Sequence, residues 1–171
     1  MKLLVVIDMQ NDFVTGVLGT KEAQEILPLV NEKIAQAQRV IYTLDTHGEG
    51  YLSTQEGRKL PVVHCVKGTW GHALADGLLV KDGSEKIEKP TFGSVTLGET
   101  VRGMFERGEI DSVELIGVCT DICVISNAML LKAYCPELPV SVDASCCAGV
   151  SPQSHETALN AMQACQIAIE S

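Results

Sequence analysis

The sequence predicts a single α/β domain with a three-layer α/β/α architecture, in which helices cover both faces of a mainly parallel β-sheet. Short apolar runs alternate with amphipathic stretches along the chain, and this alternation is typical of β-α-β units. The apolar runs are nearly continuous, as expected of strands that are buried on both faces. A length of 171 residues, without repeats or a Pro/Gly-rich linker, suits one domain over residues 1–171.

The first half of the chain contains two predicted strands, one helix and a long irregular segment. The strands are Lys2–Ile7 and 39–44, both short apolar runs. Residues 21–38 have apolar side chains at near-helical spacing, and Pro28 lies among them. Because proline fits the first turn of a helix, we expect the main helix to begin there. Residues 45–83 are longer than an ordinary connection, which is typical of functional or disordered loops.

The second half alternates strands and helices more regularly. Its predicted strands are residues 84–89, Ser112–Val118, 140–143 and 166–169, and its predicted helices are residues 96–107, 121–133 and Pro152–Ala164. Thr120 is the expected N-cap of the helix that follows the fourth strand. Ser151 and Pro152 together are a typical start for the last helix.

The composition argues against several classes of function. Lys plus Arg number 13 against 22 Asp plus Glu, so the net charge of −9 disfavours nucleic acid and anionic membranes as partners. No apolar run approaches the roughly 20 residues of a membrane span, and no secretory signal is recognisable. We therefore expect a soluble, cytoplasmic homo-oligomer with a small-molecule partner, in which most of the 7 cysteines are reduced thiols.

Reactive side chains follow the predicted strands, at the sheet edge where open α/β proteins bind ligands. Asp8 and Asp45 follow the first two strands, Lys89 ends the third, and Cys123 lies in the helical turn after the fourth. Each has an ordinary structural explanation alone, but their equivalent positions favour a shared crevice. The helix N-terminus and Lys89 would favour a Cys123 thiolate, with Asp8 as proton acceptor. The backbone N–H groups of Cys119 and Cys123 could stabilise an oxyanion.

A second group of candidate ligands follows the second predicted strand. Asp45 and His47 are two residues apart, so in an extended segment both side chains point the same way. Glu56 and His64 add an oxygen and a nitrogen donor. Such donors suit Zn²⁺, Fe²⁺ or Mn²⁺, and the sequence spacing does not distinguish among these ions.

Three motifs in the right order resemble those of the isochorismatase-like cysteine hydrolases and, within them, the nicotinamidases. DMQNDF, which starts at Asp8, is similar to the family's D-x-Q-x-D-F opening, and KPTF, which starts at Lys89, is similar to its K-x-x-F motif. GVCTDICV, which contains Cys123, is similar to the nucleophile segment G-x-x-T-D-x-C-V. The resemblance covers nearly the whole chain. It implies a six-stranded parallel sheet, an Asp8, Lys89 and Cys123 triad, and a cis peptide between Val118 and Cys119.

The same resemblance implies a divalent metal ion as cofactor, with Zn²⁺ as the first choice and Fe²⁺ or Mn²⁺ as alternatives. In nicotinamidases an Asp-x-His pair and a later His hold a metal, and these correspond here to Asp45, His47 and His64. Some members supply a further glutamate ligand, for which Glu56 is the candidate. The Asp-Trp-His often seen in the family reads Asp-Thr-His in this chain, and the segment before His64 has one residue more than usual.

The resemblance further implies hydrolysis of a small carboxamide, with conversion of nicotinamide to nicotinate and ammonia, a step of NAD salvage, as the leading reaction. Phe13 would line the substrate pocket, with Tyr51 and Trp70 as further candidates. Cys119 stands where the family usually has alanine, which keeps the backbone donor but adds a second thiol.

Other interpretations remain open from the sequence. The substrate could be another small amide or a ureido compound of the same family. Cys119 and Cys123 could instead form a thiol redox pair, although a helical i, i+4 pair rarely has disulfide geometry. The chain could also be a non-catalytic binding subunit, because a fold does not determine a function. A vinyl-ether hydrolase of the isochorismate type is disfavoured, because those members lack the nucleophilic thiol.

Overall fold

A computed structural model describes residues 1–171 and contains a six-stranded parallel β-sheet between two layers of helices, which confirms the predicted fold class. In chain order the elements are β1 (Lys2–Ile7), α1 (Asn11–Val14), α2 (Lys21–Gln36), β2 (Arg39–Asp45), α3 (Gln55–Lys59), β3 (Glu85–Lys89), α4 (Val95–Glu106), β4 (Ser112–Val118), α5 (Ile125–Tyr134), β5 (Val140–Ala148), α6 (Pro152–Ala164) and β6 (Ala168–Glu170). A 3₁₀ turn at Tyr51–Ser53 precedes α3, and a π-helical turn at Thr120–Val124 leads into α5. None of these helices combines the length and apolarity needed to cross a bilayer.

The strand order of the sheet places a crevice beside its central strand. The order is β3-β2-β1-β4-β5-β6, and every neighbouring pair is parallel. The chain therefore winds outward from β1 in one direction and then from β4 in the other. In such sheets the loops after the two central strands diverge, and ligands bind in the gap between them. The segments that follow β1 and β4 are thus expected to carry the site.

Two hydrophobic cores, one on each face of the sheet, hold the layers together. Side chains of a strand alternate between its faces. On β1, Leu3 and Val5 accordingly join a core of 23 buried residues that also includes residues of α4, α5 and α6. Leu4 and Val6 point the other way, into a core of 16 buried residues shared with α2. The near-continuous apolar run of β1 is therefore a consequence of its burial on both sides.

The expectation that the main helix begins at Pro28 is wrong. α2 begins at Lys21, because the side chain of Thr20 accepts a hydrogen bond from the backbone N–H of Ala23 and caps the helix there. The proline lies in the helix interior and removes one backbone donor. The buried face of α2, formed by Ala23, Ile26, Val30 and Ile34, outweighs that loss.

The expected N-cap role of Thr120 is also wrong. Thr120 is the first residue of the π-helical turn, and its hydroxyl lies 2.8 Å from Nδ1 of His155 at the start of α6. α5 begins only at Ile125. The side chain of Thr120 is fully buried and is held by another helix instead of by the backbone of its own.

An ionic network connects α2 to β1, β4 and β5, away from the carboxyl ends of the strands. Nζ of Lys33 lies 2.7 Å from Asp143 Oδ2 and 3.2 Å from Glu114 Oε2, and Lys2 approaches Glu114 to 3.2 Å. The side chains of Glu114 and Asp143 are each only 4% exposed. Burial opposes ionisation of Asp143, but the contact with Lys33 holds the pKa of that carboxyl below its usual value.

We predict that Lys33→Met lowers the free energy of unfolding by about 3 kcal/mol, because two buried carboxylates lose their shared cation. Urea denaturation at neutral pH measures the change. Lys21→Met is the matched control on the same helix. Its side chain is 83% exposed and pairs only with Glu25, so the expected change is below about 0.5 kcal/mol. Equal stability of the two variants would contradict the prediction.

Candidate active site

The segment after β4 carries the candidate nucleophile. Gly117, near the end of β4, has a φ of 115°. A Cβ at this position would lie 2.2 Å from the carbonyl oxygen of Ile7, so glycine permits the close approach of β1 and β4. The peptide between Val118 and Cys119 is cis, as the resemblance implied. The π-helical turn that follows places Cys123 inside the crevice with only 5% of its surface exposed.

Three chemically different side chains meet at the carboxyl ends of β1, β3 and β4. Nζ of Lys89 lies 2.6 Å from Asp8 Oδ2 and donates a hydrogen bond to Cys123 Sγ at 3.4 Å. Asp8 is fully buried and Lys89 is 1% exposed. The hydroxyl of Thr43 on β2 donates to Asp8 Oδ1 at 2.6 Å and accepts from the backbone N–H of Asp8 at 3.2 Å. The structure thus brings together an acid, a base and a thiol from distant parts of the chain.

Burial dominates the electrostatics of these groups. It raises the pKa of the Cys123 thiol well above the ordinary value; the charge of Asp8 raises it further, and that of Lys89 lowers it. Burial likewise raises the pKa of Asp8, which Lys89 only partly offsets. For Lys89 burial acts in the opposite direction, but Asp8 and Cys123 overcome it and the pKa is raised. Burial therefore favours the protonated forms of Cys123 and Asp8, whereas the neighbouring Asp8 and Cys123 favour the charged form of Lys89.

A cluster of candidate metal ligands adjoins this group. One donor atom each from Asp45, His47 and His64 lies within 4.8 Å of the others. Asp45 Oδ2 is 2.8 Å from His47 Nε2 and 3.4 Å from His64 Nε2. Glu56 Oε1 lies further out, at 3.6 Å from His47 Nε2 and 3.9 Å from His64 Nε2. Lys89 Nζ, 3.7 Å from Asp45 Oδ1, connects the two halves of the site.

The geometry of the cluster fits a divalent cation. Nε2 of His47 is buried and makes no hydrogen bond, despite its proximity to the carboxylate. Nδ1 of His64 lies 2.7 Å from the carbonyl oxygen of Val62, a contact that holds the ring with Nε2 facing the cluster. Burial opposes ionisation of Asp45, yet its contacts with the two imidazoles hold the pKa of this carboxyl below the usual range. Two imidazoles and a carboxylate are a common donor set for Zn²⁺ and related ions.

A cavity of about 330 Å³ connects the thiol to the ligand cluster. Of its 12 lining residues 8 are hydrophobic, and a few polar groups stand among them, as in many small-molecule sites. The lining residues are Phe13, Leu18, Thr20, Asp45, Glu56, Leu60, His64, Phe92, Cys119, Ile122, Cys123 and Val150. Phe13 therefore lies where a pocket wall was expected, with its ring centroid 5.6 Å from that of His64.

Two expected pocket residues lie elsewhere. Tyr51 is buried behind the ligand cluster, with its ring centroid 4.6 Å from that of His47 and its hydroxyl donating to the carbonyl of Leu60. It supports the imidazoles and does not line the cavity. Trp70 is 54% exposed, donates from Nε1 to Asp76, and is also absent from the cavity wall. Both predictions depended on the path of the long segment between β2 and β3, which has no periodicity to specify it.

Several residues of the site were missed from the sequence. Phe92 belongs to the KPTF motif and lines the cavity, so the motif itself was an available signal. The distal wall, which includes Leu18, Ile122 and Val150, was not predicted because these residues resemble ordinary apolar positions. Thr43 was hidden in the apolar run of β2, where threonine is common for its β-propensity alone.

Comparison with known proteins points to one family. A family model described as Isochorismatase domain matches residues 2–171. The chain is 30% identical to an uncharacterized isochorismatase family protein, PncA, of Bacillus subtilis strain 168, over 93% of this chain and 92% of that protein. A pyrazinamidase/nicotinamidase of Streptococcus mutans UA159 superposes with a TM-score of 0.83 at 29% identity, covering 99% of both chains. A pyrazinamidase of Pyrococcus horikoshii in complex with zinc gives a TM-score of 0.83 at 26% identity, covering 98% of this chain and 97% of that one.

The opposing effects of Asp8 and Lys89 on Cys123 predict opposite shifts in its reactivity. Lys89→Met should move the pH profile of Cys123 alkylation by iodoacetamide upward by about 1–3 units, because the ammonium favours the thiolate. Asp8→Asn should move it downward, because a charge that opposes ionisation is lost. Mass spectrometry of the Cys123 peptide measures the rates, with Cys165→Ala as the control at an exposed thiol. Shifts in the same direction would contradict this account of the site.

Proposed function

Because the chain belongs to the isochorismatase family, we propose that it hydrolyses the amide C–N bond of a small aromatic carboxamide, with nicotinamide as the leading substrate. The observation that carries the proposal is the contact of Lys89 with both Asp8 and Cys123, at one end of a cavity that also reaches an Asp-His-His cluster. The similarity to a pyrazinamidase/nicotinamidase over 99% of the chain supports the same reaction. The products would be nicotinate and ammonia, formed as a step of cytoplasmic NAD salvage.

The first half of the proposed reaction forms a thioester. Asp8 takes the proton of the Cys123 thiol, and the resulting thiolate is stabilised by the Lys89 ammonium at 3.4 Å. The sulfur attacks the carboxamide carbon, and the carbonyl oxygen becomes an oxyanion. The backbone N–H groups of Cys119 and Cys123, on the turn after β4, are the proposed donors to that oxygen. Asp8 then gives its proton to the nitrogen as the C–N bond breaks, and ammonia leaves.

The second half regenerates the thiol. The ionised carboxylate of Asp8 accepts a proton from a water molecule as that water attacks the thioester carbonyl. The tetrahedral intermediate collapses, the C–S bond breaks, and the sulfur recovers the proton from Asp8. The raised pKa of Asp8, which results from its burial, suits a group that must bind and release a proton in each half-reaction.

Asp45, His47 and His64 are the residues that would hold a divalent ion, with Glu56 at the rim as a further ligand. A bound ion would supply a Lewis-acid contact for the ring nitrogen, which would orient the carboxamide toward the sulfur of Cys123. Zn²⁺ is the first candidate, because the pyrazinamidase of Pyrococcus horikoshii was solved in complex with zinc. Fe²⁺ and Mn²⁺ suit the same donors.

A thiol redox function is the second candidate, since Cys119 and Cys123 line the same cavity. The two proposals make different demands on these residues. Redox cycling through a disulfide requires both sulfur atoms. Hydrolysis requires the sulfur of Cys123 but only the backbone of Cys119.

We predict that Cys123→Ala lowers ammonia release from nicotinamide by at least about 10³-fold, because the nucleophile is lost. Cys119→Ala should lower the rate far less, because it retains the backbone N–H. Cys165→Ala, at an exposed thiol that does not line the cavity, is the unaffected control. A coupled ammonia assay with metal-loaded protein measures all three. No release by the wild type would remove nicotinamide as substrate, and equal loss in Cys119→Ala and Cys123→Ala would contradict the proposal that hydrolysis uses only the backbone of Cys119.

We also predict one tightly bound divalent ion per chain, held by the cluster around Asp45. Elemental analysis after dialysis against Zn²⁺ should give about one ion per wild-type chain. His64→Ala should retain far less, because it removes a buried ligand at 3.4 Å from the carboxylate. His72→Ala, which removes an imidazole that contacts Thr46 and lies outside the cluster, is the matched control. Retention of about one ion per chain by both variants would show that the ion binds elsewhere.

A further inference from the structure

The buried amide of Gln10 holds the backbone of one proposed metal ligand. Its Nε2 donates to the carbonyl oxygen of Asp45 at 2.9 Å, and its Oε1 accepts from the backbone N–H of Asp45 at 2.7 Å. The same Nε2 also donates to the carbonyl oxygen of His72 at 2.8 Å. A single side chain therefore satisfies both backbone groups of Asp45, and it links that residue to the long segment before β3.

Asp45 needs such a partner because the sheet ends beside it. The pairing of β1 with β2 stops at Val6 and Tyr42, and Asp8 then turns away with a φ of 48°. Asp45 is the last residue of β2 and is buried, so its N–H and carbonyl require partners within the protein. Gln10 provides them in the place where a longer β1 would have continued the ladder.

Gln10 is itself fixed with respect to the catalytic carboxylate. Its side chain is fully buried, and its backbone N–H donates to the carbonyl oxygen of Asp8 at 2.7 Å. Its backbone also forms a bridge with Leu74 and occupies the N-cap position before α1. Gln10 therefore connects the two carboxylate residues, because its side chain binds the backbone of Asp45 and its backbone binds that of Asp8.

We propose that Gln10 is a positioning residue for the metal ion. It fixes the backbone of Asp45 so that the carboxylate lies within reach of His47 and His64. The inference rests on the proposed function, in which these three residues hold a divalent ion. Gln10 does not line the substrate cavity, so its effect on the reaction passes through Asp45.

Asn127 provides a matched control on the other half of the site. It is 1% exposed, and its amide also bridges three backbone groups. Its Nδ2 donates to the carbonyl oxygens of Cys123 at 2.8 Å and Phe92 at 3.1 Å, and its Oδ1 accepts from the N–H of Ser94 at 2.9 Å. Asn127 thus matches Gln10 in burial and hydrogen bonding, but it supports the turn of the thiol instead of the ligand cluster.

The test compares Gln10→Met with Asn127→Leu, two apolar replacements of similar shape. Competition with a chromophoric chelator measures Zn²⁺ affinity, and iodoacetamide measures the reactivity of Cys123. We expect Gln10→Met to weaken Zn²⁺ binding by about 10- to 100-fold, the usual effect of removing a residue that orients a ligand. We expect Asn127→Leu to leave Zn²⁺ affinity within about threefold of wild type and to change the alkylation rate more than Gln10→Met does.

Three outcomes would overturn the inference. Wild-type Zn²⁺ affinity in Gln10→Met would show that Asp45 needs no positioning, while the proposed metal site itself would stand. Equal losses in both variants would indicate a general loss of structure. A second variant, Gln10→Glu, keeps the oxygen that accepts from the N–H of Asp45 and removes the amide donor. If both Gln10 variants fail to fold while Asn127→Leu folds, Gln10 is needed for folding itself and the inference that it acts through the metal site is wrong. Absence of Zn²⁺ binding by the wild type would instead remove the proposed metal function.

Discussion

The buried ammonium of Lys89 is the interaction on which the candidate site depends. Its Nζ contacts the carboxylates of Asp8 at 2.6 Å and Asp45 at 3.7 Å and the sulfur of Cys123 at 3.4 Å. Charges in a protein interior are tolerated only when they are paired, and the two carboxylates, the ammonium or a thiolate would each be costly to bury alone. One cation therefore makes it possible to place the carboxylates of Asp8 and Asp45 and the thiol of Cys123 in the same crevice.

This arrangement also explains why an otherwise polar strand belongs to the sheet. β3 is an edge strand, and along it only Ile87 and Lys89 are buried. Ile87 joins the larger core, whereas Lys89 reaches the carboxylates beside β1 and β2. The sequence pattern of β3 is weak because its place in the sheet depends on one apolar contact and one ionic contact as well as on its ladder with β2.

The parallel sheet made much of the site predictable. Side chains that follow neighbouring parallel strands must lie at one edge of the sheet, so the sequence positions of Asp8, Lys89 and Cys123 predict their proximity. Contacts that depend on irregular backbone could not be predicted from the sequence in the same way. The prediction that Tyr51 and Trp70 line the pocket is not met, because the segment between β2 and β3 has no hydrophobic periodicity from which its path could be predicted. The prediction that Thr120 is an N-cap fails because a π-helical turn replaces the expected start of α5. Pro28 inside α2 shows a similar limit of sequence patterns, because an N-cap and a buried apolar face can keep a helix intact through a proline.

The central place of β1 determines when the protein can fold during synthesis. β1 is synthesised before both of its partners in the sheet, and one of them is β4, whose first residue, Ser112, pairs with Lys2. Until that partner emerges, the nascent chain exposes an apolar strand edge, and such edges attract other chains. Non-local parallel pairing also slows folding. The residues of the crevice can assemble only after Cys123 has been translated, so a chain truncated before that point would be a substrate for chaperones and proteases and would not be a partly active enzyme.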